Sequence, residues 1–83
     1  MQITVKLYAM LTEYLPANAE KNISTLTLPD SYTVAQVIQQ LQLPDRYVHL
    51  VLVNGIYIEH DHLAETALNE GDVLAIWPPV AGG

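Results

Sequence analysis

The residues best suited to chemistry in this chain stand at its C-terminal end, in the run Trp77-Pro78-Pro79-Val80-Ala81-Gly82-Gly83. Proline cannot donate to a sheet ladder and favours an extended path, so Pro78 and Pro79 are expected to direct the chain away from the body. Residues 78–83 then form a projecting tail that reaches on the order of 20 Å when fully extended, enough to enter a deep site on another protein. Bulk falls towards the end, and Gly82 and Gly83 lack Cβ atoms, so their backbone can approach the walls of such a site closely. The reacting group is then the α-carboxylate of Gly83, while Trp77, Pro78, Pro79, Val80, Ala81 and Gly82 meet the partner. A bare Gly-Gly is also what a frayed terminus looks like, and it is Trp77-Pro78-Pro79-Val80 ahead of it that favours function.

Other candidates carry less. Glu59-His60-Asp61-His62 offers imidazole and carboxylate ligands at strand-neighbour spacing, but without a placed third ligand the segment reads as a solvated turn, and no metal is expected. His49 sits within an apolar strand and reads as a satisfied core or interface residue, and no serine and histidine arrangement suggests a triad. With no cysteine, disulfides, thiolate metal sites and a cysteine nucleophile are all excluded. The formal charge of −6, with Lys6, Lys21 and Arg46 as the only basic side chains, leaves almost nothing to bind a phosphate backbone and points instead to a basic protein partner. No apolar run approaches the roughly 18 to 20 residues of a membrane span, so a cytoplasmic protein with no membrane or nucleic-acid partner is the expectation.

The elements that must position the tail follow from periodicity. At 83 residues, 51% of them hydrophobic and 14% charged, the chain is a single packed domain over 1–83. Ile3, Val5 and Leu7 alternate with Thr4, Lys6 and Tyr8 as in a half-buried strand, and Ala9 to Leu15 reads as a short helical turn stopped near Pro16. Ile23 to Leu28 alternates again and is expected to pair with the first strand. Thr33 and Gln36 have the form of a capping box, and Val34, Val37, Ile38 and Leu41 fall at helical spacing. Val48 to Val53 is an apolar strand, Asn54-Gly55 a hairpin turn, Ile56 to Ile58 the return, Glu59 to Asn69 an irregular polar segment and Val73 to Trp77 the last strand. The order strand, strand, helix, strand, strand, strand gives an α+β, ubiquitin-like β-grasp: a mixed sheet of about five strands covered on one face by one main helix. The first and last strands are expected side by side at the sheet centre, with the tail leaving the sheet edge. Trp77 either fills the core or anchors an interface beside the tail, and apolar atoms around Val51, Val53 and Ile76 would support docking.

The strand Ile3-Thr4-Val5-Lys6-Leu7-Tyr8-Ala9, the helix entered at Thr33-Val34, the Leu52-Val53-Asn54-Gly55 segment and Glu70-Gly71-Asp72-Val73 running on to Gly83 together resemble the MoaD/ThiS-type β-grasp sulfur carriers. The aromatic residue followed by Pro-Pro makes the chain most similar to the small subunit of molybdopterin synthase. That resemblance implies a carrier, not itself an enzyme, whose Gly83 is adenylated by an E1-like activating enzyme and converted to a thiocarboxylate by a sulfur-transfer protein. The chain would bind no cofactor directly, ATP being used by the activating enzyme. The tail would then enter a larger synthase subunit and donate sulfur for molybdopterin. A thiamine or tungsten-pterin carrier, a ubiquitin-like protein modifier and a noncovalent β-grasp adaptor are the alternatives.

Overall fold

The computed structural model describes residues 1–79. Five strands, β1 (Gln2–Leu7), β2 (Ile23–Thr27), β3 (Leu50–Val53), β4 (Ile56–Tyr57) and β5 (Val73–Trp77), form one sheet in the order β2-β1-β5-β3-β4. The pairings are antiparallel except for β1 with β5, which run parallel. The helix α1 (Val34–Gln40) covers one face, and three 3-10 helices, Ala9–Tyr14, Asp45–Tyr47 and His60–His62, lie in the connections.

Strand periodicity decides what is buried. Ile3, Val5 and Leu7 of β1, Leu26 beside them, and Leu74 and Ile76 of β5 turn to the helix side, where Val34 and Val37 of α1 close over them. Register places Val51 opposite Ile76 and Val53 opposite Leu74, so β3 contributes Val51 and Val53 to this same core. α1 starts with the capping box its sequence announces: Gln36 N donates to Thr33 Oγ1 at 3.2 Å, and Thr33 N donates to Gln36 Oε1 at 2.8 Å.

The polar segment from Glu59 to Asn69 is better anchored than its composition suggests. A helix leaves its first N–H groups without intrahelical partners. Here Val34 N donates to Thr66 O and Ala35 N to Leu63 O, both at 3.0 Å, while Leu68 N donates back to Tyr32 O at 2.8 Å. The segment therefore completes the helix start, and it sends Leu63 and Leu68 into the core. His60 and His62 occupy a 3-10 turn rather than strand-neighbour positions.

The hairpin between β3 and β4 turns at Asn54 (φ 51) and Gly55 (φ 81), the left-handed pair that a two-residue turn requires. Asn54 also ties this turn to β5. Its Oδ1 accepts from Val73 N at 2.9 Å and its Nδ2 donates to Asp72 Oδ1 at 2.9 Å, while Asp72 Oδ2 accepts from Asn69 N at 2.8 Å.

Leu68 is 2% exposed, so Leu68→Ala should lower the unfolding free energy by about 2–5 kcal/mol through lost burial and the cavity left behind. Ala67→Ser, at the exposed neighbour, should shift it by less than about 0.5 kcal/mol. Urea denaturation of the two variants separates a packed segment from a loose loop.

Candidate functional site

The site is built from the point at which β5 stops. On one side of β5, Tyr8 N donates to Ile76 O at 3.3 Å; on the other, His49 N donates to Trp77 O at 3.0 Å. These bonds clamp the strand end from both flanks, and Pro78, which follows, has no N–H with which to continue the ladder. Pro78 is buried and Pro79 exposed, so the described part of the projecting segment leaves the body at Pro79, one residue later than the prolines alone suggest. Val80, Ala81, Gly82 and Gly83, to which the partner contacts and the reacting carboxylate were assigned, lie outside the described residues.

Because β5 is the middle strand, the chain departs from the end of the sheet's centre and not from its edge. That corrects the expected exit. Parallel pairing carries the ends of β1 and β5 to the same end of the sheet, and there the rings of Tyr8 and Trp77 stack with centroids 4.2 Å apart and planes inclined by 3°. Trp77 pairs with Leu50 in register and lies on the sheet face away from the helix, half-buried. It is therefore a surface platform at the root of the tail, not part of the core under α1.

The same alternation defines the rest of that open face. Register aligns Ala75 with Lys6 on one side and with Leu52 on the other, and Leu52 with Tyr57 beyond it. With Leu50, Trp77 and Tyr8 these residues form an apolar band across the sheet, crossed by a single full charge, Lys6. Ile23, 41% exposed and opposite Lys6, extends it at the β2 edge. The docking surface expected around Val51, Val53 and Ile76 is thus displaced by one residue along each strand: Val51 and Ile76 are buried beneath the helix, while Leu50 and Leu52, half-buried, lie on the other face with the buried Ala75 between them. His49 is exposed, which removes it from the core; its backbone, not its imidazole, holds the strand end.

Among the described residues no three histidine, aspartate or glutamate side chains gather as metal ligands, and no helix is long and apolar enough to cross a membrane. The described residues offer a fixed root, an aromatic platform and an apolar face.

A model of the ThiS family matches residues 5–83, almost the whole chain. The chain belongs to the ThiS family. Solved structures agree on a ubiquitin-like β-grasp. The chain is 27% identical to the HVO 2177 protein of Haloferax volcanii, with a TM-score of 0.77 over 100% of this chain and 87% of that one. SAMP1 from Haloferax volcanii is 25% identical with a TM-score of 0.69 over the full length of both chains. A chain of the complex of subunits 1 and 2 of the molybdopterin-converting factor from Helicobacter pylori is 23% identical with a TM-score of 0.60, again over both full lengths, and shares the fold. No curated protein sequence matches. The protein is thus a MoaD/ThiS-type sulfur carrier of the ubiquitin-like class.

Stacking should couple Tyr8 and Trp77. Aromatic pairs contribute about 0.5–1.5 kcal/mol beyond their buried area, so a double-mutant cycle of Tyr8→Ala and Trp77→Ala should return a coupling energy of that size in chemical denaturation. Additive losses would show that the two rings act separately.

Proposed function

We propose that this ThiS-family carrier is charged at the α-carboxylate of Gly83 and serves as the small, sulfur-donating subunit of a molybdopterin synthase. The observation that carries the reading is the clamped end of β5, followed by Pro78-Pro79 and a run that shrinks to Gly82-Gly83. A carboxylate is a poor electrophile. An E1-like activating enzyme would join it to the adenylyl group of ATP, releasing pyrophosphate; the terminal sulfur of a persulfide on a sulfur-transfer protein would then displace AMP to form an acyl disulfide, and a thiol would reduce that bond, leaving the thiocarboxylate and a disulfide. This chain binds no nucleotide itself in the scheme.

Each part of the site has a task in that cycle. The band of Tyr8, Trp77, Leu50, Leu52 and Tyr57 supplies the area on which the activating enzyme and the larger synthase subunit dock in turn, with Trp77 as the anchor next to the tail. Pro79 to Gly83 span at most about 17 Å when extended, which sets how deep the partner's reaction centre lies below its docking surface. Pro78 and Pro79 hold the root of the segment, Val80 and Ala81 contact the walls of the partner's channel, and Gly82 leaves room for the nucleotide beside the reacting carbonyl. The Trp-Pro-Pro sequence favours the molybdopterin branch over the thiamine branch, and the two-subunit converting factor supports a heteromeric synthase.

A second reading has its own support. The likeness to SAMP1 and to the small archaeal modifier protein 1 of Haloferax volcanii favours a modifier, in which the activated Gly83 would be joined to lysines of target proteins. The two share their first step and part at the second.

Incubating the protein with a matched activating enzyme, ATP and a sulfur source should raise its intact mass by one oxygen-to-sulfur exchange, and deletion of Gly83 should abolish the gain. A mass unchanged with matched activating enzymes would overturn the carrier mechanism. Gly-Gly remnants on lysines of other proteins, without thiocarboxylate, would decide for the modifier.

A further inference from the structure

Behind the sheet, on the side of α1, a groove of about 390 Å³ runs between the helix, Leu43 and the two 3-10 helices Asp45–Tyr47 and His60–His62. Its floor is apolar, made by Ala35, Ile38, Leu43, Leu63 and Ala64, and its rim carries Asp45, His60 and Asp61. Leu43 and Leu63 are buried, Ala35 and Ile38 half-buried, and Ala64 exposed, so the floor is anchored in the core yet open to solvent. The volume falls within the range of ligand clefts, roughly 300–1,000 Å³, and accommodates a few side chains.

Charge selects the occupant. Asp45 and Asp61 stand on the rim, and Glu59 and Glu65 flank it in sequence, all four exposed. Arg46 is the one basic side chain nearby, and its guanidinium lies over the ring of Tyr47, 4.8 Å from the centroid. Lys6 is on the opposite face of the protein, and Lys21 precedes β2 at the far edge of the sheet. Among the described residues the one internal answer to the rim carboxylates is His60 Nε2, 3.4 Å from Asp45 Oδ1, which links the two 3-10 helices. Both partners of that contact are largely exposed, at 54% and 86%, and such a pair contributes little. A permanent cation could displace it at small cost.

We propose that this groove docks a basic, apolar segment of a partner protein: aliphatic side chains seat on Ile38, Leu43 and Leu63, and a flanking lysine or arginine takes Asp45 from His60 while a second meets Asp61. The apolar floor gives the contact its area, and the acidic rim gives it sign and register. The groove and the apolar band lie on opposite sides of the sheet. A partner can therefore hold the carrier from behind while the tail and the open face are engaged elsewhere, and the inference stands whether the tail carries sulfur or modifies lysines.

The test uses the full chain, labelled with 15N, and a capped tetrapeptide Arg-Leu-Leu-Lys. Saturable amide shifts are expected at Ile38, Leu43, Asp61, Leu63 and Ala64, with Leu50, Leu52 and Trp77 unmoved. Affinity should fall by about tenfold for the control Glu-Leu-Leu-Glu and for the charge-reversed variant Asp45→Lys, and severalfold in high salt. Ala64→Lys, which places a cation at the exposed end of the floor, is an independent second variant and should lower affinity by a similar factor; unchanged affinity in a folded Ala64→Lys protein would count against the groove, and the dispersion of each spectrum reports whether the fold is kept. Absence of shifts at millimolar peptide, shifts confined to the open sheet face, equal binding of the acidic peptide, or groove shifts that follow protein concentration without peptide, as for a second copy of this chain, would each overturn the proposal.

Discussion

The parallel pairing of β1 with β5 is the constraint on which the rest of the structure depends. Thr4 to Leu7 align with Val73 to Ile76, joining residues near the two ends of the chain across everything between them. A parallel pair cannot be closed by a tight hairpin; it needs a long connection, and here that connection contains β2, α1, β3 and β4. Val5, Leu7, Leu74 and Ile76 are fully buried along this seam, so the strand that launches the tail is among the most firmly held parts of the molecule.

Two surfaces follow from that centre. The helix side consumes Val5, Leu7, Leu74, Ile76, Val51 and Val53, and the alternate residues are left to form the apolar band on the other face. On the helix side, α1 and the two 3-10 helices cover the sheet but do not pack flush against one another, which leaves the acid-rimmed groove. A net charge of −6 on so small a domain keeps copies apart and favours basic partners at long range, while the band and the groove supply the short-range contacts.

What could be read from sequence was what local chemistry fixes. The capping box at Thr33 and Gln36, the left-handed Asn54-Gly55 turn and the alternation of β1 and β2 each need only neighbouring residues, and each stands where its pattern puts it. The misplaced features depend on distant partners. Which face of Val48 to Val53 lies inward is set by its register with β5, and a slip of one residue exchanges Val51 for Leu50. The polar run around His60 hid Leu63 and Leu68 because their burial comes from docking on the start of α1, which no periodicity within the segment records. At the end of β5 the aromatic residue and the two prolines that stop the strand were legible in the sequence, but the Tyr8 platform was not. Tyr8 reads as one more outward residue of β1 until the parallel pairing brings it to Trp77.

The same geometry explains why two prolines follow Trp77. A strand in the middle of a sheet has neighbours on both sides, and any continuation of β5 with free N–H groups would invite further pairing. Both neighbours withdraw at this point. On the β1 side the chain turns away at Ala9, whose left-handed φ of 52 is unfavourable for a residue with a Cβ, and enters a 3-10 helix. On the β3 side the chain arrives from the 3-10 helix Asp45–Tyr47, and His49 makes the last contact. Pro78 then removes the donor at the first position beyond the clamp, and Pro79 removes the next. Removal of the donors and retreat of the neighbours act on the same bond, so the sheet terminates at Trp77 from both sides of the interaction. Pro78 and Pro79 are thereby denied a place in the ladder.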